Sequence, residues 1–175
     1  MSCPTGPVCN LDCEYCYYLK KTELYPETNS FQMSEKTLEK YIKQYIESQP
    51  GPMVNFGWQG GEPTLRGLDF FKKAVELQQK YVPEGWKIEN SIQTNAVLID
   101  DQWAEFLKEN KFLVGVSLDG PAELHNRYRK DKKGKDTHQK VMAGIKKLKE
   151  YGVTYNILAV VNDVNAKKPK EVYQF

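Results

Sequence analysis

Short apolar runs alternate with longer amphipathic stretches along most of the chain. Runs of mainly apolar residues that are bounded by turn residues are typical of strands. The sequence predicts four such strands, over residues 53–58, 87–93, 112–118 and 154–161. The third run is almost continuously apolar, as expected for a parallel strand that is buried on both faces.

Helices are predicted between these strands, where apolar residues recur at helical spacing. Ser34 is a favourable N-cap for a helix that ends before Pro50. The other predicted helices cover residues 68–81, the stretch after Asp100 or Asp101, residues 139–151 ahead of Gly152, and a last stretch that begins at Pro169. A helix is also expected from Cys13 to about Leu24, ended by Pro26. The Lys-rich run over residues 123–136 is interpreted mainly as a solvated loop.

The order of these elements predicts an α/β fold. Strands and helices that alternate in this way imply parallel βα units with right-handed crossovers. We therefore expect a partial TIM-like (β/α) barrel. A closed eight-stranded barrel needs roughly 250 residues, so we expect one that is incomplete at both ends. The strand over residues 154–161 would then be an exposed edge.

Composition indicates an ordinary globular chain. Of its 175 residues, 40% are hydrophobic and 27% are charged, and the formal net charge is +2. This small net charge argues against a dedicated nucleic-acid surface. We see no secretory signal and no apolar run long enough to cross a bilayer. We expect one domain, or part of one, located in the cytoplasm.

Three of the four cysteines lie close together near the start of the chain. Cys9, Cys13 and Cys16 are spaced C-x3-C-x2-C, and no cysteine follows them. A structural zinc site and an electron-transfer [4Fe–4S] cluster each normally take four protein ligands. Three thiolates on a four-iron cluster would leave one iron open for a substrate, as catalytic metal sites require. We treat the fourth cysteine, Cys3, as incidental.

Further polar and glycine residues stand where strands are predicted to end. Gly60 and Gly61 follow the first strand, where they permit positive φ and a close approach of the backbone to a ligand. The neighbouring Glu62 carboxylate can accept a hydrogen bond from an ammonium group. Ser117 supplies a hydroxyl at another strand end, and Arg129 is a permanent cation. In βα barrels the ends of the strands form the catalytic face, so one pocket can contain all of these groups.

These motifs resemble those of the radical S-adenosylmethionine (radical SAM) enzymes, and among them the anaerobic sulfatase-maturating enzymes. The resemblance rests on residues 9–18 (CNLDCEYCYY), 59–64 (QGGEPT), 91–95 (SIQTN), 113–121 (LVGVSLDGP), 129–131 (RKD) and 156–161 (NILAVV). It covers essentially the whole chain in the same order. It implies that the partial barrel is of the radical SAM type.

The resemblance implies a role for each of these residues. Cys9, Cys13 and Cys16 would hold a [4Fe–4S] cluster, on which one electron splits S-adenosyl-L-methionine (SAM) to give a 5′-deoxyadenosyl radical. The residues that would contact SAM are Tyr15, Gly60, Gly61, Glu62, Ser117 and Arg129. Among them, Glu62 suits the ammonium group of SAM, and Arg129 suits its carboxylate.

The resemblance also implies the reaction and its partners. Sulfatase-maturating enzymes oxidise a Cys or Ser of a sulfatase polypeptide to Cα-formylglycine. They draw electrons from a low-potential donor of the flavodoxin or ferredoxin type. They carry a Cys-rich C-terminal (SPASM) domain with further clusters, and their proton-accepting aspartate would lie beyond the position of Phe175. We therefore expect residues 1–175 to be part of a radical SAM domain, without the rest of the barrel, the SPASM domain or that aspartate.

Two other functions fit parts of the pattern. Another radical SAM enzyme that modifies peptides and carries a SPASM domain could share these motifs. A non-catalytic iron–sulfur or zinc module could instead use all four cysteines, with Cys3 as the fourth ligand. The turn at Gly60, Gly61 and Glu62 argues against the second function, because a structural metal site has no need of it.

Overall fold

The computed structural model describes residues 1–18, 20–28 and 30–175, which contain a parallel four-stranded sheet. Its strands, hydrogen-bonded to one another in chain order, are β1 (Met53–Trp58), β2 (Lys87–Thr94), β3 (Leu113–Ser117) and β4 (Tyr155–Leu158). All three pairings are parallel, and helices connect the successive strands. The predicted α/β fold, with an incomplete barrel, is confirmed.

Except for the fourth helix, which was not predicted, the helices begin and end close to the predicted positions. They are α1 (Glu35–Glu47), α2 (Leu68–Tyr81), α3 (Asp101–Glu109), α4 (Ala122–Tyr128), α5 (His138–Glu150) and α6 (Pro169–Gln174). Ser34 caps α1 by accepting a hydrogen bond from the backbone N–H of Thr37 at 3.1 Å. Asp100 caps α3 in the same way, through the N–H of Trp103 at 2.9 Å. No helix in the described ranges is long and apolar enough to cross a membrane.

The two faces of the sheet have opposite character. On one face, side chains such as Phe56, Ile92 and Val116 are buried in a core that also contains apolar residues of α1, α2, α3 and α5. On the other face, Ser91 and Asn156 line a cavity of about 210 Å³. The helices therefore cover one face, and the other carries both polar side chains and apolar ones such as Leu113 and Leu158.

The strand β4 is an exposed edge, as predicted. It pairs only with β3 in the described sheet, and its residues Ile157 and Leu158 are each 47% exposed. At the opposite edge, a single parallel bridge joins Ser2 to Trp58 in β1. The N-terminal residues thus lie beside β1, at the edge of the sheet opposite β4.

Two predicted elements are wrong. The stretch from Cys13 to Leu24 forms turns and a short 3-10 helix, Lys21–Leu24, instead of an α-helix, and Leu19 within it lies outside the described residues. Its backbone pairs with a distant segment, since the N–H of Glu14 donates to the carbonyl oxygen of Tyr128 at 3.0 Å.

The second error concerns the Lys-rich run, residues 123–136, which was expected to be mainly a loop. Residues 123–128 of this run belong to α4, because Leu124 and His125 are buried and anchor the helix. The rest is a hairpin, closed by a bridge between Lys130 and Asp136.

Candidate functional site

One cavity of about 300 Å³ lies at the carboxyl ends of β1, β2 and β3. All nine predicted site residues line it: Cys9, Cys13, Tyr15, Cys16, Gly60, Gly61, Glu62, Ser117 and Arg129. The structure therefore brings all of these residues together in one cavity. Their roles toward a cluster and SAM stay predictions.

The loop that carries the three cysteines is fixed to the turn after β1 by main-chain hydrogen bonds. The N–H of Gly61 donates to the carbonyl oxygen of Gly6, and the N–H of Glu62 donates to that of Val8, both at 2.8 Å. We name residues 9–16, which contain the three cysteines, the cluster loop. These bonds place the cluster loop directly over the ends of the strands.

The two glycines are required by this close approach. Gly60 has φ of +110°, which disfavours any side chain. A Cβ on Gly61 would lie 2.0 Å from the carbonyl oxygen of Val8. The glycine pair therefore allows the turn after β1 to contact the backbone of residues 6–8. This role is separate from the predicted close approach of the glycine backbone to a ligand.

The Glu62 carboxylate is 1% exposed and accepts four hydrogen bonds from neutral donors. Oε1 accepts from the backbone N–H of Thr64 at 3.1 Å, from its hydroxyl at 2.6 Å and from the hydroxyl of Thr94 at 2.7 Å. Oε2 accepts from the backbone N–H of Asn95 at 2.7 Å. Burial raises the pKa of Glu62, and these donors oppose that shift. Glu62 thus ties the turn after β1 to the end of β2.

The three motif thiols are free and share the same cavity. Burial raises the pKa of Cys13 to about 11, although the charge of Arg129 acts in the opposite direction. Burial likewise raises the pKa of Cys9. Within residues 1–18, 20–28 and 30–175, no three His, Cys, Asp or Glu side chains are placed to hold a single metal ion.

The donors around Cys9 suit a thiolate that is bound to metal. Its Sγ accepts from the backbone N–H of Leu11 at 3.3 Å and lies 3.7 Å from Nδ2 of Asn95. Such donors stabilise the deprotonated sulfur, which is the form that ligates iron. Three thiols on one cavity wall, one of them with N–H donors, therefore fit a [4Fe–4S] cluster with one open iron.

Arg129 is held by a carboxylate that sequence analysis did not assign to the site. Asp119, two residues after the end of β3, accepts from Nε and Nη2 of Arg129 at 2.9 and 3.0 Å. The Tyr15 hydroxyl also donates to Asp119, and the backbone N–H of Val160 donates at 2.9 Å. Burial alone would raise the pKa of Asp119, but the charge and hydrogen bonds of Arg129 and the bond from Tyr15 lower it overall.

Asp119 therefore joins the cluster loop, β3, the segment after β4 and Arg129 at one point. The position of Asp119 at a polar strand end was visible in the sequence, but its pairing with Arg129 depends on the tertiary fold. Because Asp119 binds two guanidinium nitrogens, Nη1 of Arg129 is the one outside this fork. Both N–H groups of Nη1 are therefore free of Asp119.

A buried chain of hydrogen bonds supports Arg129 from behind. Nδ1 of His125 accepts from the backbone N–H of Asp119 at 3.4 Å, so the proton of the neutral ring is on Nε2. Nε2 lies 3.0 Å from the hydroxyl of Thr137, which donates to the carbonyl oxygen of Arg129 at 2.7 Å. Burial and the charge of Arg129 lower the pKa of His125 to about 4, so the ring is neutral near pH 7.

Ser117 has a partner that sequence analysis also missed. Nε2 of Gln93, near the end of β2, donates to the Ser117 hydroxyl at 3.0 Å. Gln59 and Asn95 line the same cavity. All three amide side chains lie in stretches that carried the family resemblance, and no pattern within the sequence alone distinguished them from loop residues.

Comparison with known proteins identifies curated relatives of this chain. The serine-type anaerobic sulfatase-maturating enzyme of Bacteroides thetaiotaomicron is 55% identical over 172 residues, covering 98% of this chain and 41% of that enzyme. The cysteine-type anaerobic sulfatase-maturating enzyme of Clostridium perfringens is 45% identical over 172 residues, covering 98% and 46%. The chain therefore spans less than half the length of these relatives. The predicted resemblance is confirmed.

Solved structures give the same result for the fold. The structure of native anSMEcpe with bound AdoMet and Cp18Cys peptide matches with a TM-score of 0.89 and 44% identity, covering 99% of this chain and 45% of that one. Streptococcus suis SuiB, 21% identical, shares the fold with a TM-score of 0.69. The profile of the Radical SAM superfamily matches residues 3–175. This chain belongs to the Radical SAM superfamily.

Proposed function

We propose that this chain provides the SAM-cleaving site of an enzyme that oxidises a Cys or Ser of a sulfatase to Cα-formylglycine. The observation that carries the proposal is the convergence of three free thiols and six expected SAM contacts on one cavity. The relatives that are named sulfatase-maturating enzymes support the choice of substrate. They include both serine-type and cysteine-type enzymes, so the proposal covers both residues.

Each cavity residue has a role in this proposal. Cys9, Cys13 and Cys16 hold a [4Fe–4S] cluster, which supplies, when bound, the one-electron chemistry that cleaves the sulfonium of SAM. Glu62 is an anion surrounded by neutral donors, and it attracts the ammonium group of SAM. Nη1 of Arg129 donates to the carboxylate of SAM.

The remaining contacts to SAM are assigned to neutral groups. Tyr15 and the Ser117 hydroxyl, with the backbone of Gly60 and Gly61, border the same cavity. These groups orient the ligand without adding charge.

The reaction also determines the partners. Oxidation of the substrate side chain removes one hydrogen atom, one proton and one further electron, and each SAM cleavage consumes an electron that must be supplied from outside. We therefore include a low-potential donor of the flavodoxin or ferredoxin type. We place the enzyme in the cytoplasm. The four cysteines of this chain are free, and the cytoplasm is a compartment that keeps thiols reduced.

Anaerobic assay of peptide oxidation tests this function. Protein reconstituted with iron and sulfide receives SAM, dithionite and a sulfatase-motif peptide with Ser, Cys or Ala at the target position. The proposal predicts 5′-deoxyadenosine from residues 1–175. It predicts an aldehyde on the Ser or Cys peptide, detected by mass spectrometry and a hydrazide probe, only where the proton-accepting aspartate expected beyond Phe175 is also present. The Ala peptide is the control and should remain unchanged. If an enzyme with that aspartate forms 5′-deoxyadenosine while the Ser and Cys peptides both stay intact, the proposed substrate is wrong.

A further inference from the structure

A second cavity, of about 400 Å³, lies on the other side of the cluster loop and is strongly basic. Four lysines line it: Lys132, Lys133, Lys135 and Lys140. We name this group the lysine pocket. Its remaining walls are Asn10, Leu11, Val97 and Asp131. The first two of these belong to the cluster loop.

Leu11 is a wall shared by the two cavities. It lines both the lysine pocket and the cavity that contains the three thiols. It stands between Cys9 and Cys13 in the sequence and is 3% exposed. A bridge to Asp131 holds it against the Lys-rich hairpin. The lysine pocket and the thiol cavity are therefore adjacent and share the wall formed by Leu11.

The hairpin has a fixed shape that presents its lysines to solvent. Oδ1 of Asp131 accepts from the backbone N–H groups of Lys133 and Lys135, both at 2.9 Å. The bond from Lys135 and an ion pair with Lys140 at 3.1 Å lower the pKa of Asp131 to about 2. Asp131 therefore stays ionised and holds the turn at physiological pH.

The charge of the lysine pocket is only partly neutralised. Lys132 pairs with Asp12 at 3.1 Å, and Lys140 pairs with Asp131. Among the ion pairs of the described part of the chain, none involves Lys133 or Lys135. Both side chains are exposed. The pocket thus presents two unneutralised cations beside the cluster loop.

We propose that the lysine pocket is the docking site of a small, acidic electron-transfer protein that reduces the cluster. This proposal rests on the proposed function, because it assumes a cluster on Cys9, Cys13 and Cys16. A reduced flavodoxin- or ferredoxin-type carrier loses one electron and the cluster gains it, so no proton or other reactant is needed. Complementary charge steers such a carrier to the surface, where Leu11 borders both the lysine pocket and the thiol cavity.

Charge reversal at the two unpaired lysines tests the proposal. The test variant is Lys133→Glu/Lys135→Glu, and the matched control is Lys36→Glu/Lys40→Glu, which changes the same charge on the exposed surface of α1. Binding to an immobilised acidic flavodoxin, and separately to an acidic ferredoxin, is measured with cluster-free protein. Reduction of the reconstituted cluster is then followed by its absorbance, with the reduced carrier or with dithionite.

We expect the wild-type chain and the control to bind at least one carrier. The test variant should bind it at least tenfold more weakly at low ionic strength, and its cluster should be reduced by that carrier about tenfold more slowly. The difference should vanish near 1 M salt, where charges are screened within about 3 Å. Reduction by dithionite should be equal in all three proteins.

Several results would overturn the proposal. Failure of the wild-type chain to bind either carrier would do so, as would equal binding by the test variant. An equal loss in the α1 control would show that overall charge, and not the lysine pocket, determines docking. Failure of the proposed function is distinguishable, because it shows up as absent peptide oxidation with dithionite, an assay that requires no carrier.

Discussion

Glu62 and Asp119 are two buried carboxylates on the same cavity edge, and they are stabilised in opposite ways. Glu62 is 1% exposed and accepts hydrogen bonds from backbone and hydroxyl groups only. Asp119 is fully buried and forms a two-point ion pair with Arg129, to which Tyr15 and the N–H of Val160 add bonds. Burying an anion is costly without such partners.

The difference determines what each region can do for a ligand. Neutral donors stabilise Glu62 without cancelling its charge, so the first region can still attract a cation. The charge of Asp119 is cancelled by Arg129, so the second region is nearly neutral and serves mainly to fix geometry. In our proposal Asp119 is therefore a positioning residue, and Glu62 and Arg129 are the charged contacts to the ligand.

The largest expected effect is the loss of Asp119. Asp119→Ala leaves the Arg129 cation buried without its partner, which should lower the free energy of unfolding by about 3–5 kcal/mol. The double variant Asp119→Ala/Arg129→Met removes the unpaired charge and should recover much of this loss. Urea denaturation of the cluster-free protein measures both. Equal instability of the single and double variants would contradict the ion-pair account.

His125 distinguishes the two regions, because it is hydrogen-bonded to the Asp119 region and not to the Glu62 region. Below pH 6.5 the unfolded chain protonates this residue, whereas the buried ring resists until about pH 4. Its contribution to stability is therefore complete above pH 6.5 and falls as the pH drops toward 4, by at most about 3 kcal/mol. The charged or titratable groups around it are Arg129, Asp119, His138 and Asp136.

His125→Gln should accordingly flatten the dependence of stability on pH in this window. Urea denaturation at several pH values measures the slope, and His138→Gln is the control for the neighbouring ring. An unchanged slope in His125→Gln would mean that another group produces the acid sensitivity.

Arg129 connects the two regions through the ligand. Arg129→Ala removes the charged donor proposed for the SAM carboxylate, so SAM affinity should fall by about tenfold to a hundredfold, since charge-assisted hydrogen bonds are worth about 1.5–3 kcal/mol. Calorimetry on the reconstituted protein measures it, with Arg127→Ala as the control on the exposed side of α4. SAM affinity that is unchanged, with the cluster intact, would remove Arg129 from the binding site.

The smallest effect is expected at a single donor to Glu62. Thr94→Val removes one of the four hydrogen bonds to the Glu62 carboxylate, which keeps the other three. It also removes the acceptor of the backbone N–H of Ala96 at 3.0 Å, so the free energy of unfolding should fall by about 1–2 kcal/mol. Thr154→Val at an exposed position is the control. A loss comparable to that of Asp119→Ala would show that the four donors do not share the charge as we describe.

The parts of the fold that were predicted correctly depend on local pattern. The strand Met53–Trp58 and the helix Leu68–Tyr81 have the bounds expected from apolar spacing, and Ser34 caps α1 as its residue type suggests. The helix expected from Cys13 failed because tertiary pairing with Tyr128 replaced local hydrogen bonds. The propensity of individual residues for helix or strand carries no information about such long-range pairings.

In the candidate site too, some features were predictable from the sequence and others depend on the tertiary fold. Its residues were predicted because the resemblance carried them, and the fold brings them together at the strand ends. The hydrogen-bond partners of those residues were not predictable from the sequence. Asp119 contacts Arg129 only because α4, which lies between them in the chain, brings Arg129 back to the end of β3. Glu62 contacts Asn95 only because β1 and β2 are neighbours in the sheet. The unpaired charge of Lys133 and Lys135 beside Leu11 is likewise a property of the folded hairpin.

The most direct test of the whole account is electron paramagnetic resonance of the reconstituted, reduced protein with and without SAM. We predict the spectrum of a reduced [4Fe–4S] cluster that changes when SAM is added, because one iron is open to the ligand. Cys16→Ala should abolish the cluster, and Cys3→Ala should keep it. Loss of the cluster in Cys3→Ala, or a wild-type spectrum that SAM leaves unchanged, would contradict the assignment of an open iron held by Cys9, Cys13 and Cys16.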